Sequence, residues 1–368
     1  MTCTYRFLLI TGFLFTNIIY CIAQGQGQNQ GPWPNAESQK LYYKGRDFLT
    51  AGQIQPAINT YEQAMALAPD KMIIQRDLGK AYFYGKRYDE AIKVLENVIN
   101  SMDADDQVYQ LLADCRHAKG ENKKSRNTFM EGIERFPNSG LLYHELGKYY
   151  EDEGNLDDAL DMWLEGIQKA PAYHINYYEA AHTYMNTSRV IWGILYGEIF
   201  VNMESETLRS FEVRKMIMDG YGKLFSSNPA ELSEIRRAYS IGTADFESAV
   251  YNTYMKLAPI MDGGITIENL IILRTRFLIE WNAHFADTFP FTLFAYEDAM
   301  VRNGNFDAYN QFLFGKIVNE MGYKSWSKEH ADAIERFQKD HEAQPLKPVA
   351  ADFYNDKQIA HLFLQTKH

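Results

Sequence analysis

The chain has 368 residues, of which 46% are hydrophobic and 14% aromatic, and its formal net charge is −11. This composition is typical of a folded protein with a large core and excludes an intrinsically disordered chain. The acidic balance and the lack of a basic run argue against a nucleic-acid partner, because binding a phosphate backbone needs a basic surface.

Residues 1–23 predict a secretory signal peptide. Arg6 precedes an apolar run of about sixteen residues, whereas a membrane span needs about twenty. We expect cleavage after Ala23, which places the mature chain in the periplasm or cell envelope. Two alternatives stay open: retention of the segment as an N-terminal anchor, and a lipid anchor on Cys21, which the bulky Tyr20 before it disfavours.

Residues 24–36 predict a flexible linker, because Gly, Gln and Asn alternate from Gln24 to about Gln30 and Pro32 and Pro34 follow, without apolar periodicity. After removal of the signal the chain keeps one cysteine, Cys115, which cannot form an internal disulfide. We expect it to be a small core residue.

A period of 34 residues follows. One column of the repeat holds small residues: Gly45, Gly79, Ala113 and Gly147. Sixteen residues later a second column holds large apolar ones: Tyr61, Leu95, Phe129 and Trp163. Two helices approach closely only where small side chains meet, so each period predicts a helix pair whose gap is filled by the large residue. Glycines mark the turn within the pair, with Lys86 as the exception: Gly52, Gly120 and Gly154.

These columns, with closing prolines at Pro69, Pro137 and Pro171, resemble the tetratricopeptide repeat. The resemblance implies a right-handed solenoid of helical hairpins. We place the repeat domain at residues 37–190, with units at about 38–71, 72–105, 106–139 and 140–173 and a partial fifth at 174–202. The third unit departs most from the pattern, with Arg116 in an aromatic column.

The second half, residues 203–368, predicts an all-helical region without a period. Helix starts are indicated at Pro229 and Thr266, and a last helix from Trp326 to Phe337. Before this region, the stretch 192–200 is apolar nearly all round, which predicts a helix buried on every side. The fold class is therefore all-α. This half resembles exported tetratricopeptide proteins of Bacteroidota, a likeness that implies no particular chemistry.

No catalytic motif was found, so we expect a non-enzymatic protein without cofactor or metal. The nine histidines lack the spacing of a ligand face. The sharpest catalytic candidate is a polar set on one apolar helix, for which an Arg276–Glu280 ion pair is the simpler explanation. The set comprises Arg274, Arg276, Glu280, Asn282 and His284.

In the repeat family the first helix of each unit lines a concave groove. By phase, the resemblance implies that partner-binding side chains here are Tyr42, Arg46, Arg76, Lys80, Phe83, Tyr84, His144 and Lys148. Arg46, Arg76 and Lys80 form a basic spot that suits an acidic segment or a C-terminal carboxylate. A solvated charged face is the alternative reading.

A known subclass of the family clamps chaperone C-termini with five fixed side chains. That set is absent, because the matching positions hold Tyr42, Arg46, Lys80, Gln110 and Asp114. The sequence thus favours a scaffold or adaptor that binds a protein or peptide. The alternative is a helical hydrolase or small-ligand-binding protein with its site near Trp192, Arg276 and Glu280, between the repeats and the C-terminal region.

Overall fold

The computed structural model describes residues 32–239, 245–352 and 354, and every regular element in these ranges is helical. The all-α prediction is confirmed. The chain divides into two compact units, one ending at Phe136 and the other beginning at Pro137. The predicted signal peptide and most of the linker lie outside the described residues, and the predicted domain limits stay a prediction.

Unit 1 contains three helix pairs. They are α1 (Ala36–Thr50) with α2 (Ile54–Leu67), α3 (Met72–Tyr84) with α4 (Tyr88–Ile99), and α5 (Asp106–Ala118) with α6 (Asn122–Arg135). The turn inside each pair passes through a left-handed residue, with φ of 71° at Gly52, 57° at Lys86 and 75° at Gly120. The predicted turn phase is therefore correct, and Lys86 adopts the backbone that glycine adopts in the other pairs.

Close helix approach explains the small-residue column. A Cβ atom added to Gly45 would lie 2.8 Å from the ring of Tyr61, and one added to Gly79 would lie 2.7 Å from the side chain of Leu95. Tyr61 and Leu95 are fully buried, as is Cys115. The pairing of a small residue with a large one sixteen positions later is thus the packing rule of the unit.

Unit 2 begins with two further pairs and continues as an irregular helical array. Its main helices are α7 (Gly140–Asp152), α8 (Leu156–Lys169), α9 (Ile175–Met185), α10 (Val190–Met203), α11 (Leu208–Leu224), α12 (Pro229–Tyr239), α13 (Phe246–Lys256), α14 (Ile267–His284), α15 (Thr292–Arg302), α16 (Phe306–Asn310), α17 (Lys316–Val318), α18 (Glu320–Glu329) and α19 (Ala331–Ala343). A π-helical turn, Gln311–Gly315, joins α16 to α17, and 3₁₀ turns occur at Ala258–Met261 and Ala350–Asp352.

Helix α10 is the centre of unit 2, since every residue from Val190 to Asn202 is buried. This confirms the interpretation of its all-round apolar sequence. Helix α12 begins at Pro229, as predicted. Helix α14 begins at Ile267, directly after the predicted Thr266, whose hydroxyl caps the helix by accepting a hydrogen bond from the backbone N–H of Asn269. The last predicted helix differs: the chain forms α18 and α19 instead, because the turn at His330 interrupts it.

Candidate partner-binding site

Unit 1 carries six of the eight side chains that the sequence assigned to the groove. Tyr42 and Arg46 are on α1, whereas the other four are on α3: Arg76, Lys80, Phe83 and Tyr84. Their surroundings differ: Tyr42 and Arg76 bond to carboxylates within the protein, whereas Arg46 and Lys80 form no ion pair with a described residue.

Tyr42 lies in the interior, with 4% of its surface exposed. Its hydroxyl donates a hydrogen bond of 2.8 Å to Asp77 Oδ2, and burial, aided by the Asp77 carboxylate, raises its pKa. The bond joins α1 to α3. Tyr42 therefore ties two repeats together and presents little surface to a partner.

Arg76 is also engaged within the protein. Its Nε lies 3.0 Å from Asp77 Oδ1, and its Nη1 lies 2.8 Å from Asp105 Oδ2. Asp105 also caps α5 by accepting a hydrogen bond of 3.0 Å from the backbone N–H of Val108. Burial lowers the pKa of Arg76, but the two carboxylates outweigh it and the pKa rises. Arg76 thus connects α3 to the start of α5.

Arg46 and Lys80 differ from Arg76, because neither forms an ion pair with a residue that the structure describes. Arg46 is exposed and its guanidinium lies 4.9 Å from the ring centroid of Tyr43, which is itself 41% exposed. Lys80 is half-buried. These two cations can therefore accept a ligand carboxylate without losing an intramolecular ion pair.

Two aromatic side chains follow Lys80 on α3, within about one helical turn. Phe83 and Tyr84 are half-buried, with ring centroids 5.8 Å apart, and Phe83 also contacts Tyr88 at 5.9 Å. Half-buried rings offer apolar area whose side-chain entropy is already partly lost, which favours binding. We call Arg46, Lys80, Tyr43, Phe83 and Tyr84 the cation–aromatic surface.

His144 and Lys148 lie in unit 2, on α7, and both are neutralised locally. His144 Nε2 lies 3.2 Å from Glu179, and Nδ1 lies 3.3 Å from Glu145 without hydrogen-bond alignment. Burial lowers the pKa of His144, but the two glutamates outweigh burial and raise it to about 9. Lys148 pairs with Glu151. The His144–Glu179 contact repeats the 35-residue spacing of Tyr42–Asp77, so this position joins successive repeats in both units.

The residues of the alternative site are not brought together. Trp192 is buried, Arg276 is exposed, and Glu280 pairs with Lys256 at 2.6 Å instead of with Arg276. The predicted Arg276–Glu280 pair is therefore wrong: Lys256 of α13 reaches the carboxylate.

The buried charge on α14 is Arg274. Its guanidinium bonds the carboxylates of Glu198 and Glu297 and donates a hydrogen bond of 2.8 Å to Asn310 Oδ1. The Tyr309 hydroxyl donates to Glu198 at 2.8 Å. Burial and the Glu198 charge raise the pKa of Glu297 well above its usual value. Sequence reasoning missed both glutamates, although one acid inside the apolar α10 was a usable signal for Glu198.

Residues 32–239, 245–352 and 354 contain no group of three histidine, cysteine or acidic side chains arranged to hold a metal ion. No helix in these ranges has the length and hydropathy of a membrane span.

Comparison with known proteins supports the repeats. Residues 48–115 match the family model of the tetratricopeptide repeat, so this segment is a tetratricopeptide-repeat segment as predicted. A curated relative, the BBSome complex member BBS4 of Bos taurus, is 29% identical over 128 residues, which are 32% of this chain and 24% of that protein. The chain therefore spans about a quarter of that relative.

Solved structures give weaker matches. A tetratricopeptide repeat protein from Parabacteroides merdae is 15% identical with a TM-score of 0.39, covering 66% of this chain and 93% of its own. YrrB, described as having an unusual peptide-binding site, is 15% identical with a TM-score of 0.34, covering 55% and 97%.

Proposed function

We propose that this protein is a non-enzymatic scaffold that holds a partner protein through an acidic segment or C-terminal carboxylate bound at the cation–aromatic surface of unit 1. The observation that carries the proposal is that Arg46 and Lys80 are not neutralised by a described acidic side chain. They occupy the same position in successive repeats, and they form no ion pair with a described residue. On a chain of net charge −11, two such cations beside partly exposed rings are suited to anionic, partly apolar ligands.

The chemistry of the surface favours a modest, salt-sensitive interaction. Each cation offers a charge-assisted hydrogen bond, and the rings offer apolar contact that excludes water from it. Because Arg46 is exposed, salt screens its attraction, with a Debye length of about 8 Å at physiological ionic strength. Binding should therefore weaken as salt is raised.

We also propose that this scaffold acts in the periplasm or cell envelope. The proposal rests on the predicted signal peptide of residues 1–23. Cell fractionation with N-terminal sequencing of the recovered protein tests it. A mature chain beginning at Gln24 supports export, whereas an intact Met1 in the cytosol contradicts it.

The binding proposal is tested by affinity capture from envelope extract at low salt. The informative variant is Arg46→Glu/Lys80→Glu, because reversing Arg76 would place a third carboxylate against Asp77 and Asp105. The matched control is Lys93→Glu/Arg126→Glu, which changes the net charge equally at exposed positions on α4 and α6.

A partner held by the wild type and by the control, but lost by the Arg46/Lys80 variant, supports the proposal. Circular dichroism establishes that all three proteins are folded. Equal retention of the same proteins by all three forms contradicts a site at Arg46 and Lys80, and so does retention of no protein at low salt.

A further inference from the structure

The position that supplies Arg46 and Lys80 recurs once more in unit 1. Counting 34 residues from Arg46 gives Lys80 on α3, and 34 more give Asp114 on α5. Each of these residues directly follows a buried small one, namely Gly45, Gly79 or Ala113. One equivalent site per repeat therefore carries the charges plus, plus, minus along the row of first helices.

One internal contact fixes the register of the first two helices of that row, and the 34-residue repeat places the third. The Tyr42–Asp77 hydrogen bond joins α1 to α3, one turn before Arg46 and one turn before Lys80. The Arg76–Asp105 ion pair joins α3 to the cap of α5, nine residues before Asp114. Because bonded positions on neighbouring helices lie level, Arg46 and Lys80 lie at about the same height and are separated by the distance between the two helices.

That distance sets the spacing of a ligand. Packed neighbouring helices lie about 8–10 Å apart. An extended chain advances about 3.3 Å per residue, so three residues cover the step from one helix to the next. Ligand residues that meet consecutive sites are therefore separated by two others.

Three acidic residues lie near Arg46 and Lys80 in the sequence or in the row, and each affects ligand binding differently. Asp77 already accepts bonds from Tyr42 and Arg76. Asp47 is exposed beside Arg46, but successive residues on a helix point about 100° apart. Asp114 occupies the third site, and its negative charge disfavours a third acidic residue of the ligand there.

We propose that unit 1 reads a charge register: an extended segment with acidic residues at its first and fourth positions and a basic or neutral residue at its seventh, or the same pattern in reverse chain order. This inference rests on the proposed function and adds the ligand pattern to it. The acids meet Arg46 and Lys80, and the seventh residue meets Asp114. Side chains between them face Tyr43, Phe83 and Tyr84.

The first experiment measures fluorescence anisotropy of labelled synthetic peptides with the full-length chain at low salt. One peptide has the pattern Glu-x-x-Glu-x-x-Lys and one has it reversed. Three control peptides have the same composition. In the first the two glutamates are adjacent, and in the second they are seven residues apart, a spacing that suits a helical ligand. In the third an acidic residue replaces the lysine at the seventh position and the lysine is moved elsewhere. Single Arg46→Ala and Lys80→Ala variants are compared with Lys93→Ala.

We expect one of the two patterned peptides to bind at least threefold more tightly than the others. Each cation variant should weaken its binding about threefold to fivefold, the upper part of the range of exposed charge pairs. Lys93→Ala should leave it unchanged. Equal binding of all spacings, with loss in the cation variants, overturns the register but leaves the proposed site intact. Stronger binding of the seven-residue spacing also overturns it. If no peptide responds to either cation variant, both proposals fail.

A charge swap then assigns the register. In Lys80→Glu, a peptide whose central glutamate is replaced by lysine should regain binding, whereas a lysine at the outer acidic position should not. Rescue by both peptides alike, or by neither, overturns the assignment of the central acid to Lys80. Because the swap measures recovery of binding, a misfolded variant cannot produce the expected result.

Discussion

Replacing Arg274 by Met should strongly destabilise unit 2. The guanidinium and both partner carboxylates have no more than 5% of their side-chain surface exposed, so removing it leaves Glu198 and Glu297 buried without a cation. Asn310 also loses the donor that bonds it at 2.8 Å. Breaking a buried ion pair by removing one partner costs about 3–5 kcal/mol. We expect a loss of this size in the free energy of unfolding.

Urea denaturation followed by tryptophan fluorescence measures this loss. Trp163, Trp192 and Trp281 are buried in unit 2, so the signal reports mainly on that unit. The matched control is Arg276→Met, two residues along the same helix and exposed, for which we expect a change within about 0.5 kcal/mol.

A triple variant distinguishes loss of the cation from loss of packing. Arg274→Met combined with Glu198→Gln and Glu297→Gln removes the charges together, and it should recover part of the stability because no carboxylate remains buried without a cation. If Arg274→Met costs no more than Arg276→Met, the three side chains do not form the buried network described above, and the reasoning is refuted.

Four further substitutions test the pKa shifts, the helix packing and the turn geometry. Because the pKa of Glu297 is raised in the folded state, its contribution to stability is present at low pH and is lost as the pH rises above about 4.5. Glu297→Gln should therefore gain stability relative to wild type between pH 5 and 8, measured by urea midpoints, and a constant difference contradicts the shift. The raised pKa of His144 stabilises the fold fully below pH 6.5, and this is lost as the pH rises through about 9. His144→Gln should cost about 1–3 kcal/mol at pH 6 and little above pH 9.5, with the imidazole titration followed by nuclear magnetic resonance; an ordinary titration near 6.5 would disprove this. Gly79→Ala should lower the free energy of unfolding by about 1–3 kcal/mol, measured by thermal unfolding, because the new Cβ would lie 2.7 Å from Leu95. Lys86→Gly should raise it by up to about 1 kcal/mol, because glycine adopts the left-handed backbone of this turn without strain. A change of opposite sign in either variant would contradict the packing or the turn argument.

The local architecture of the repeats could be predicted from the sequence. Gly45 with Tyr61 and Gly79 with Leu95 lie sixteen residues apart within one helix pair, so steric fit between near neighbours in the chain fixes the packing. The turn at Lys86 followed from phase alone. Short-range rules of this kind repeat every 34 residues, and repetition makes them visible without a structure.

The tertiary structure decided which of the predicted partner-binding side chains bond within the protein. The sequence assigned Tyr42 and Arg76 to a partner by their phase, but they bond Asp77 and Asp105, which come from the next helix of the row or its cap. The buried Arg274 meets Glu198 and Glu297, which are 76 and 23 residues away. Sequence patterns report periodicity along one helix, whereas ion pairing depends on which helices come into contact, and only the folded chain determines that.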